Sequence, residues 1–415
     1  MKVVVFVSHR YIDNYDFSLL LTEVDYLVAC VLEPFVGQFP KSKKQYFNEI
    51  IPVSIAPDNV GPLIKFDYEI LKKKTKELIT RFECSDDFWL ICVDEVNMSL
   101  SARLRDELNL PGVKEKEALL FQNKVLMKDC LRNSKILIPK YQLFDIDEAK
   151  SNLNLYFNKL KNNLGNKFVL KPSSYTGSFG VQIVKDVGDF RSFCSSKCFE
   201  LHEYEAESYI DGDLYHCDVA MSDGEILFLE CCKYSCPNND FSNGMIIASL
   251  ILPQESEIRS QISKIAVESI TCLGATKGVF HVELFVTKNE IYFLEVAARP
   301  AGGLVAKMYE KMFGINLFTL DLGIHLGVAL PEIKRNNFFC LQALIPINKY
   351  LINCFNSVTF KSHIDIEWLI SKDEITKRSS QSVVDVAGRA IFISNKYEDI
   401  EDDFYALKTL GADNV

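Results

Sequence analysis

The sequence lacks the features that define several protein classes. No apolar run approaches the roughly 20 residues of a membrane helix, and the first run, residues 3–7, is shorter than the roughly 7–15 residues of a secretory signal. Basic residues are not in excess, because the formal net charge is −10, whereas nucleic-acid-binding surfaces are basic. The 13 cysteines are odd in number and irregularly spaced, which is typical of reduced thiols. We therefore expect a cytoplasmic protein that binds neither nucleic acid nor membrane.

The N-terminal part of the chain contains short apolar runs separated by helical patterns. The runs VVVFV (3–7), YLVACVL (26–32) and FWLICV (88–93) have the length of buried strands. Strands that alternate with helices predict an α/β unit with a parallel sheet. The Pro111–Gly112 turn ends this pattern, so we predict an N-terminal α/β domain over residues 1–115.

The middle of the chain has the pattern of antiparallel strands. Strands at 168–172 and 181–186 flank a Gly/Ser-rich loop, and an inserted helix makes this part a small α+β unit. Residues 281–287 and 290–297 alternate in polarity on either side of Lys288–Asn289, which predicts an antiparallel hairpin. The predicted fold class is therefore α/β followed by α+β.

The loop within the segment LKPSSYTGSFGVQIV is a candidate phosphate site. A strand delivers Lys171, and the loop that follows contains small residues, Thr176, Gly177, Ser178 and Gly180. Such residues let backbone N–H groups approach a phosphate closely, while the lysine supplies a point charge. The loop is not a Walker A sequence, which requires Gly-Lys-Ser/Thr leading into a helix. The alternative is a hairpin turn with solvent-exposed serines.

Two carboxylates of the predicted hairpin are candidate metal ligands. Its turn puts Glu283 close to opposite Leu294, so the side chains of Glu283 and Glu295 converge near the hairpin base if a bulge or twist intervenes. Two facing carboxylates repel unless a cation bridges them, and Mg²⁺ typically uses one or two carboxylates plus substrate phosphates. The alternative is a pair of solvated glutamates, but the apolar character of both strands favours the metal site.

The segment EVAARPAGG supplies a candidate anion clamp. Arg299 precedes a turn formed by Pro300, Gly302 and Gly303. Its planar guanidinium suits bidentate binding of phosphate or carboxylate, and the glycine amides precede a helix, which is a favourable place for an anion. The alternative is an arginine that pairs with a surface carboxylate at a loop.

These signals, in this order, resemble the ATP-grasp superfamily, in particular its carboxylate–amine ligase branch, which includes bacterial L-amino acid ligases and carnosine-synthase-like enzymes. The resemblance rests on four segments: FQNKVLMKDCLRNSKILIPKYQLF (121–144), FVLKPSSYTGSFGVQIV (168–184), EAESYIDGDLYHCDV (205–219) and GVFHVELFVTKNEIYFLEVAARPAGG (278–303). The resemblance implies an ATP-grasp fold with three parts. They are the N-terminal domain, a nucleotide-binding module over 116–335 with a small lid at about 139–204, and a C-terminal antiparallel-sheet subdomain over 336–415.

The resemblance also implies ligands for the nucleotide and its metal. Lys124 would be the first ATP lysine, Lys171 and residues 176–180 would hold the phosphates, and Glu283 with Glu295 would bind Mg²⁺ or Mn²⁺. Adenine would lie against a hinge, held largely by backbone groups, made of Glu207, Ser208, Tyr209 and Ile210.

Two positions depart from the family pattern. Ala297 stands where many members have an asparagine that binds the metal, and an alanine side chain cannot coordinate one. Leu214 stands where a glutamate is common, in contact with the ribose. Asp213 is the candidate to replace that glutamate.

The reaction implied by the resemblance joins a small-molecule carboxylate to an amine. The carboxylate attacks the γ-phosphate of ATP, the amine attacks the acyl-phosphate, and Arg299 stabilises the oxyanion. Gly302 and Gly303 are candidates for binding a substrate carboxylate through their amides. His216 and His281 are candidates for substrate contacts, although a lone histidine is more often a structural residue. The resemblance also implies that the protein forms a homodimer.

Two other functions stay open at this point. An ATP-grasp carboxylase would activate bicarbonate and would need a biotin-carrying partner or a purine substrate. A nucleotide-binding regulator without catalysis would explain Ala297, but it would not need the other predicted ligands. The sequence names neither the acid nor the amine.

Overall fold

The computed structural model describes most of the chain. The residues left aside are 9, 58, 60–63, 84–85, 197–198, 200–201, 372–378, 381, 384 and 413–415. Among the described residues, no helix combines the length and the apolar character that crossing a bilayer requires.

The N-terminal unit contains the predicted parallel sheet. Its strands are β1 Val3–Val7, β2 Tyr26–Leu32, β3 Glu49–Val53 and β4 Phe88–Ile91, in the order β3-β2-β1-β4. Its helices are α1 Lys41–Lys44, α2 Tyr68–Phe82 and α3 Glu95–Glu107. Both faces of the sheet are covered, because Val3 and Val5 belong to one buried cluster and Val4 and Phe6 to another. This double burial explains why the strands read as continuous apolar runs.

Two short helices lead from this unit into the lid, which has a sheet and a core of its own. The connecting helices are α4 Glu115–Leu120 and α5 Lys124–Leu131. The antiparallel lid sheet has the order β5-β8-β6-β7 and consists of β5 Tyr141–Leu143, β6 Phe168–Pro172, β7 Gln182–Val184 and β8 Tyr204–Ser208. Its helices are α6 Ile146–Ser151, α7 Leu153–Leu164 and α8 Val187–Ser196. The lid sheet therefore runs four residues beyond the predicted boundary at 204, through Ser208.

The rest of the chain is organised by an eight-stranded antiparallel sheet with the order β13-β12-β9-β10-β11-β14-β16-β15. Its strands are β9 Asp213–Ser222, β10 Glu225–Tyr234, β11 Ile247–Ile251, β12 Gly278–Val286, β13 Ile291–Ala297, β14 Phe339–Pro346, β15 His363–Trp368 and β16 Val386–Ser394. Its helices are α9 Glu257–Cys272, α10 Val305–Phe313, α11 Leu317–Leu326, α12 Lys349–Ser357 and α13 Tyr397–Ala412.

The predicted fold class, α/β and α+β with an N-terminal parallel sheet, a lid and a C-terminal antiparallel sheet, is confirmed. The sheet also crosses the boundary that the sequence predicts at residue 335, because β14 pairs directly with β11. Residues 336–415 thus extend the sheet that carries the hairpin of β12 and β13. This continuity brings β14 side chains to the same cavity as the predicted site residues.

Candidate active site

A cavity of about 320 Å³ lies where the lid, the eight-stranded sheet and the N-terminal unit meet. Most of the residues singled out from the sequence line it. They are Lys124, Lys171, Thr176, Gly177, Ser178, Glu207, Ser208, Tyr209, Ile210, His281, Glu283, Glu295, Arg299, Gly302 and Gly303. Residues from four separate segments of the chain therefore share one site.

Gly180 and Asp213 lie outside the cavity wall. Gly180 has φ +69°, and a Cβ at this position would come within 2.5 Å of the Tyr204 hydroxyl, so the glycine serves close packing inside the lid. The Asp213 carboxylate pairs with Lys233 at 2.7 Å, while its neighbour Leu214 lines the cavity. Adjacent residues on a strand face opposite sides, and it is the apolar one that faces inward here. The structure therefore does not bring Asp213 to the position predicted for a ribose contact.

Two buried lysines reach the cavity, and each is already paired. Lys124 is the first residue of α5; its Nζ donates to the Tyr175 carbonyl at 2.6 Å and lies 3.0 Å from a Glu295 oxygen. The Lys171 Nζ lies 2.6 Å from a Glu207 oxygen. Burial opposes the charge of Lys171, but Glu207 and other carboxylates outweigh it and raise the pKa of this lysine. Both lysines are thus held at the cavity wall by carboxylates.

Sequence reasoning missed a third lysine, Lys128, which lies behind the cavity. Its side chain is fully buried between Glu205, at 2.7 Å, and Glu207. Burial opposes ionisation of Glu207, but Lys128 and Lys171 outweigh it and lower the pKa of that carboxyl to about 2. The spacing of these residues could have predicted the cluster. Lys124 and Lys128 are one helical turn apart and so share a helix face, and Glu205 and Glu207 are two residues apart and so share a face of β8.

Removing the Lys128 charge is expected to destabilise this part of the protein strongly. Lys128→Met removes one of the two lysines, Lys128 and Lys171, that contact both Glu205 and Glu207. Breaking a buried pair in this way costs about 3–5 kcal/mol. The measurement is the midpoint of chemical unfolding, with the exposed Lys116→Met on α4 as the matched control.

The destabilisation by Lys128→Met should also depend on pH. The pKa of Glu207 lies below its ordinary value of 4.5, so the stability that its ion pairs supply is present above pH 4.5 and is lost as the pH falls towards about 2. The difference between wild type and variant should therefore shrink over this range. A variant as stable as Lys116→Met, or a difference independent of pH, would contradict this role for Lys128.

The two predicted metal carboxylates face each other across the hairpin. A register shift after Glu283 inserts Leu294 as an extra residue, so Glu283 lies opposite Glu295. A Glu283 oxygen accepts a hydrogen bond from the Asn238 amide at 2.9 Å. Burial opposes ionisation of Glu295, yet Lys124 outweighs it and lowers the pKa of this carboxyl. Two carboxylates beside a cavity fit the preferences of Mg²⁺, whereas Ala297 offers no ligand.

Arg299 is buried and pairs with a residue that sequence reasoning did not find. Its Nε donates at 2.7 Å to the carboxylate of Glu95, the first residue of α3, and its Nη2 donates to the same oxygen. Its Nη1 donates to the Pro300 carbonyl at 2.9 Å, and Nη2 approaches the Thr176 hydroxyl at 3.3 Å. The guanidinium is therefore oriented by the N-terminal unit and contacts the glycine-rich loop.

The two candidate histidines belong to one buried network around Asp218. His216 Nδ1 and His281 Nδ1 each lie 2.8 Å from an oxygen of that carboxylate, and the Tyr309 hydroxyl donates to it. Burial opposes the charge of His281, but Asp218 and Glu283 outweigh it and raise its pKa to about 10, whereas burial lowers the pKa of His216. Of the two histidines, only His281 lines the cavity, so the predicted substrate contact of His216 is not supported.

Comparisons with known proteins agree with this fold. The profile described as an ATP-grasp domain matches residues 164–307. An L-arginine-specific L-amino acid ligase from Bacillus subtilis is 27% identical over 248 residues, which are 57% of this chain and 57% of that protein. The match thus spans little more than half of that curated relative.

Two solved structures match nearly the whole chain. An L-amino acid ligase from Bacillus licheniformis has a TM-score of 0.69 at 16% identity, covering 99% of this chain and 97% of that chain. The N5-carboxyaminoimidazole synthetase of Staphylococcus aureus, complexed with ADP, has a TM-score of 0.67 at 16% identity, covering 98% and 97%. Residues 164–307 therefore match an ATP-grasp domain, and the chain as a whole shares the fold of these two solved structures.

Proposed function

We propose that this protein is an ATP-dependent, ADP-forming ligase that joins a carboxylate to an amine through an acyl-phosphate. The observation that carries the proposal is the position of Arg299 in one cavity with two facing carboxylates and two buried lysines. Phosphoryl transfer requires positioning and charge rather than covalent help from the protein, and these groups supply both.

The nucleotide would lie between the lid and the hairpin. Residues 207–210 would hold the adenine, and the loop that contains Thr176 and Gly177 would cover the phosphates. Lys124 and Thr176 both anchor this loop, the first through the Tyr175 carbonyl and the second through Arg299. Loop closure would exclude water, which would otherwise hydrolyse an acyl-phosphate.

Glu283 and Glu295 would hold Mg²⁺, which neutralises charge on the transferred phosphoryl group when it is bound. Lys124, which pairs with Glu295, would lie beside the metal site and place its charge near the phosphates. His281, an imidazolium with its Nε2 3.4 Å from a Glu283 oxygen, would orient that carboxylate.

The reaction would proceed in two steps, a phosphoryl transfer and an acyl transfer. A carboxylate oxygen of the acid bonds to the γ-phosphorus as the bond to ADP breaks. The amine then bonds to the acyl carbon, the C–O bond to phosphate breaks, and the amine loses a proton. Charge develops on the acyl oxygen in the second step, and Arg299 would stabilise it.

The relatives differ in their acids, which leaves two candidate reactions. The name of the Bacillus subtilis relative favours an amino acid as the acid. The Staphylococcus aureus neighbour favours a carboxylating reaction instead. We propose the first, because the relative with the longer sequence match is the amino acid ligase, while the matches to formate-dependent formyltransferases extend over only 69–120 residues.

The test is ADP release by the purified chain with Mg²⁺ and ATP across a panel of acids and amines. Amino acids, bicarbonate and formate serve as acids, with amino acids and hydroxylamine as amines. We expect ADP release that requires both an amino acid and an amine. Release that requires bicarbonate would indicate the carboxylase, and tight ATP binding without ADP release from any pair would indicate a regulator.

A further inference from the structure

One buried polar atom of the cavity has no hydrogen-bond partner in the part of the chain that the structure describes. Gln342 lies on β14, is 1% exposed and lines the cavity. Its Nε2 donates to the Ser249 hydroxyl at 3.0 Å, but among the described residues its Oε1 has no hydrogen-bond partner. Buried polar atoms are paired in the great majority of cases, so an orphaned one at a cavity wall requires a ligand or another explanation.

The orientation of this amide is fixed by a chain of hydrogen bonds. Burial lowers the pKa of His216, so the neutral ring donates from Nδ1 to the Asp218 carboxylate at 2.8 Å, and its Nε2 is an acceptor for Ser249 at 3.2 Å. Ser249 has a single hydroxyl proton, which that bond consumes, so its oxygen must accept from the amide nitrogen of Gln342. The carbonyl oxygen of the Gln342 amide, a hydrogen-bond acceptor, therefore faces the cavity.

Gln342 Oε1 is close to the loop that follows Arg299. A Cβ at Gly303 would lie 3.6 Å from this oxygen and 3.3 Å from the Leu344 side chain. The loop is where the carboxylate of the acid is expected, and only one carbon separates the ammonium and carboxylate of an α-amino acid. An ammonium attached to that carbon would reach Gln342.

We infer that Gln342 selects α-amino acids as the acid substrate, by accepting a hydrogen bond from the α-ammonium through Oε1. Ser249, His216 and Asp218 act as positioning residues that keep the amide in this orientation. Leu344 and Tyr234 line the same wall and limit access of water, so an acid without a donor leaves Oε1 unsatisfied. The inference rests on the proposed ligase reaction for the identity of the acid.

The experiment compares amino acids with their des-amino analogues in the full-length protein. L-Alanine, L-phenylalanine and L-arginine are each paired with the acid that lacks the α-amino group, and hydroxylamine serves as the amine so that only the acid differs. The wild type should prefer the amino form in kcat/KM, and Gln342→Met should lower that preference by about 10–100-fold, the effect of one hydrogen bond to a charged group. The KM for ATP should stay unchanged.

Two further variants separate recognition from a general defect. Gln254→Met makes the same replacement at a glutamine outside the cavity, one that pairs with Glu230, and should leave the preference intact. Ser249→Ala removes the partner that orients the amide and should lower the preference less than Gln342→Met. Ser249→Ala also keeps the inference testable if Gln342→Met fails to fold.

Binding gives a readout that does not depend on turnover. Calorimetric titration of the same acids into protein loaded with Mg²⁺ and ADP should show the same preference and the same loss in Gln342→Met. If the protein binds amino acids more tightly than their des-amino analogues but turns over neither, the inference is supported and the proposed function is contradicted. Turnover of both forms at equal efficiency, an unchanged preference in Gln342→Met, or no preference in the wild type by either readout would overturn the inference.

Discussion

Arg299→Lys is expected to lower kcat for ADP formation, at saturating acid and amine, by about 10²–10³, the usual effect of losing one preorganised donor to an oxyanion. Lysine keeps the charge but loses the planar fork by which Arg299 contacts both Glu95 and the Pro300 carbonyl. The dissociation constant of ATP should change far less, because Lys124 and Lys171 remain. Measuring kcat and this constant separates the two effects.

Arg103→Lys is the matched control, since this arginine is exposed on α3 and pairs with Glu107. Normal turnover by Arg299→Lys, or a defect that lies wholly in ATP binding, would show that Arg299 is not the cation of the transition state. Glu95→Gln should reproduce part of the defect, because Glu95 holds the guanidinium in place.

Glu295→Gln is expected to lower Mg²⁺-dependent turnover by more than about 10²-fold, because charge stabilisation by the metal is worth several kcal/mol. Glutamine preserves the shape of the side chain but weakens the metal site, to which Ala297 adds nothing. The same change frees Lys124 from its ion pair, so ATP should bind at least as tightly as to wild type when EDTA removes the metal.

The control for this variant is Glu290→Gln, at the exposed turn of the same hairpin. Turnover and metal-free ATP binding are measured for both variants. Undiminished activity of Glu295→Gln would show that other groups hold the metal. Weaker ATP binding in EDTA would instead indicate that the substitution disturbs the cavity itself.

Much of the fold follows from local patterns. The apolar runs at 3–7, 26–32 and 88–93 become the parallel strands β1, β2 and β4, because strands buried on both faces must be apolar throughout. The hairpin of β12 and β13 follows from the alternation of apolar and polar residues along both strands. The extra residue Leu294 could not be predicted, since a bulge is decided by packing against the neighbouring strand rather than by alternation.

The charged groups of the site could be predicted from local motifs, because two lysines, two glutamates and Arg299 all stand in recognisable segments. Their partners could not be predicted, because these come from distant parts of the chain. Glu95 is 204 residues from Arg299, and Gln342 reaches the cavity because β14 joins the sheet beside β11. A motif specifies side-chain chemistry over a few residues, whereas ion pairing, burial and hydrogen-bond polarity depend on which distant elements pack together.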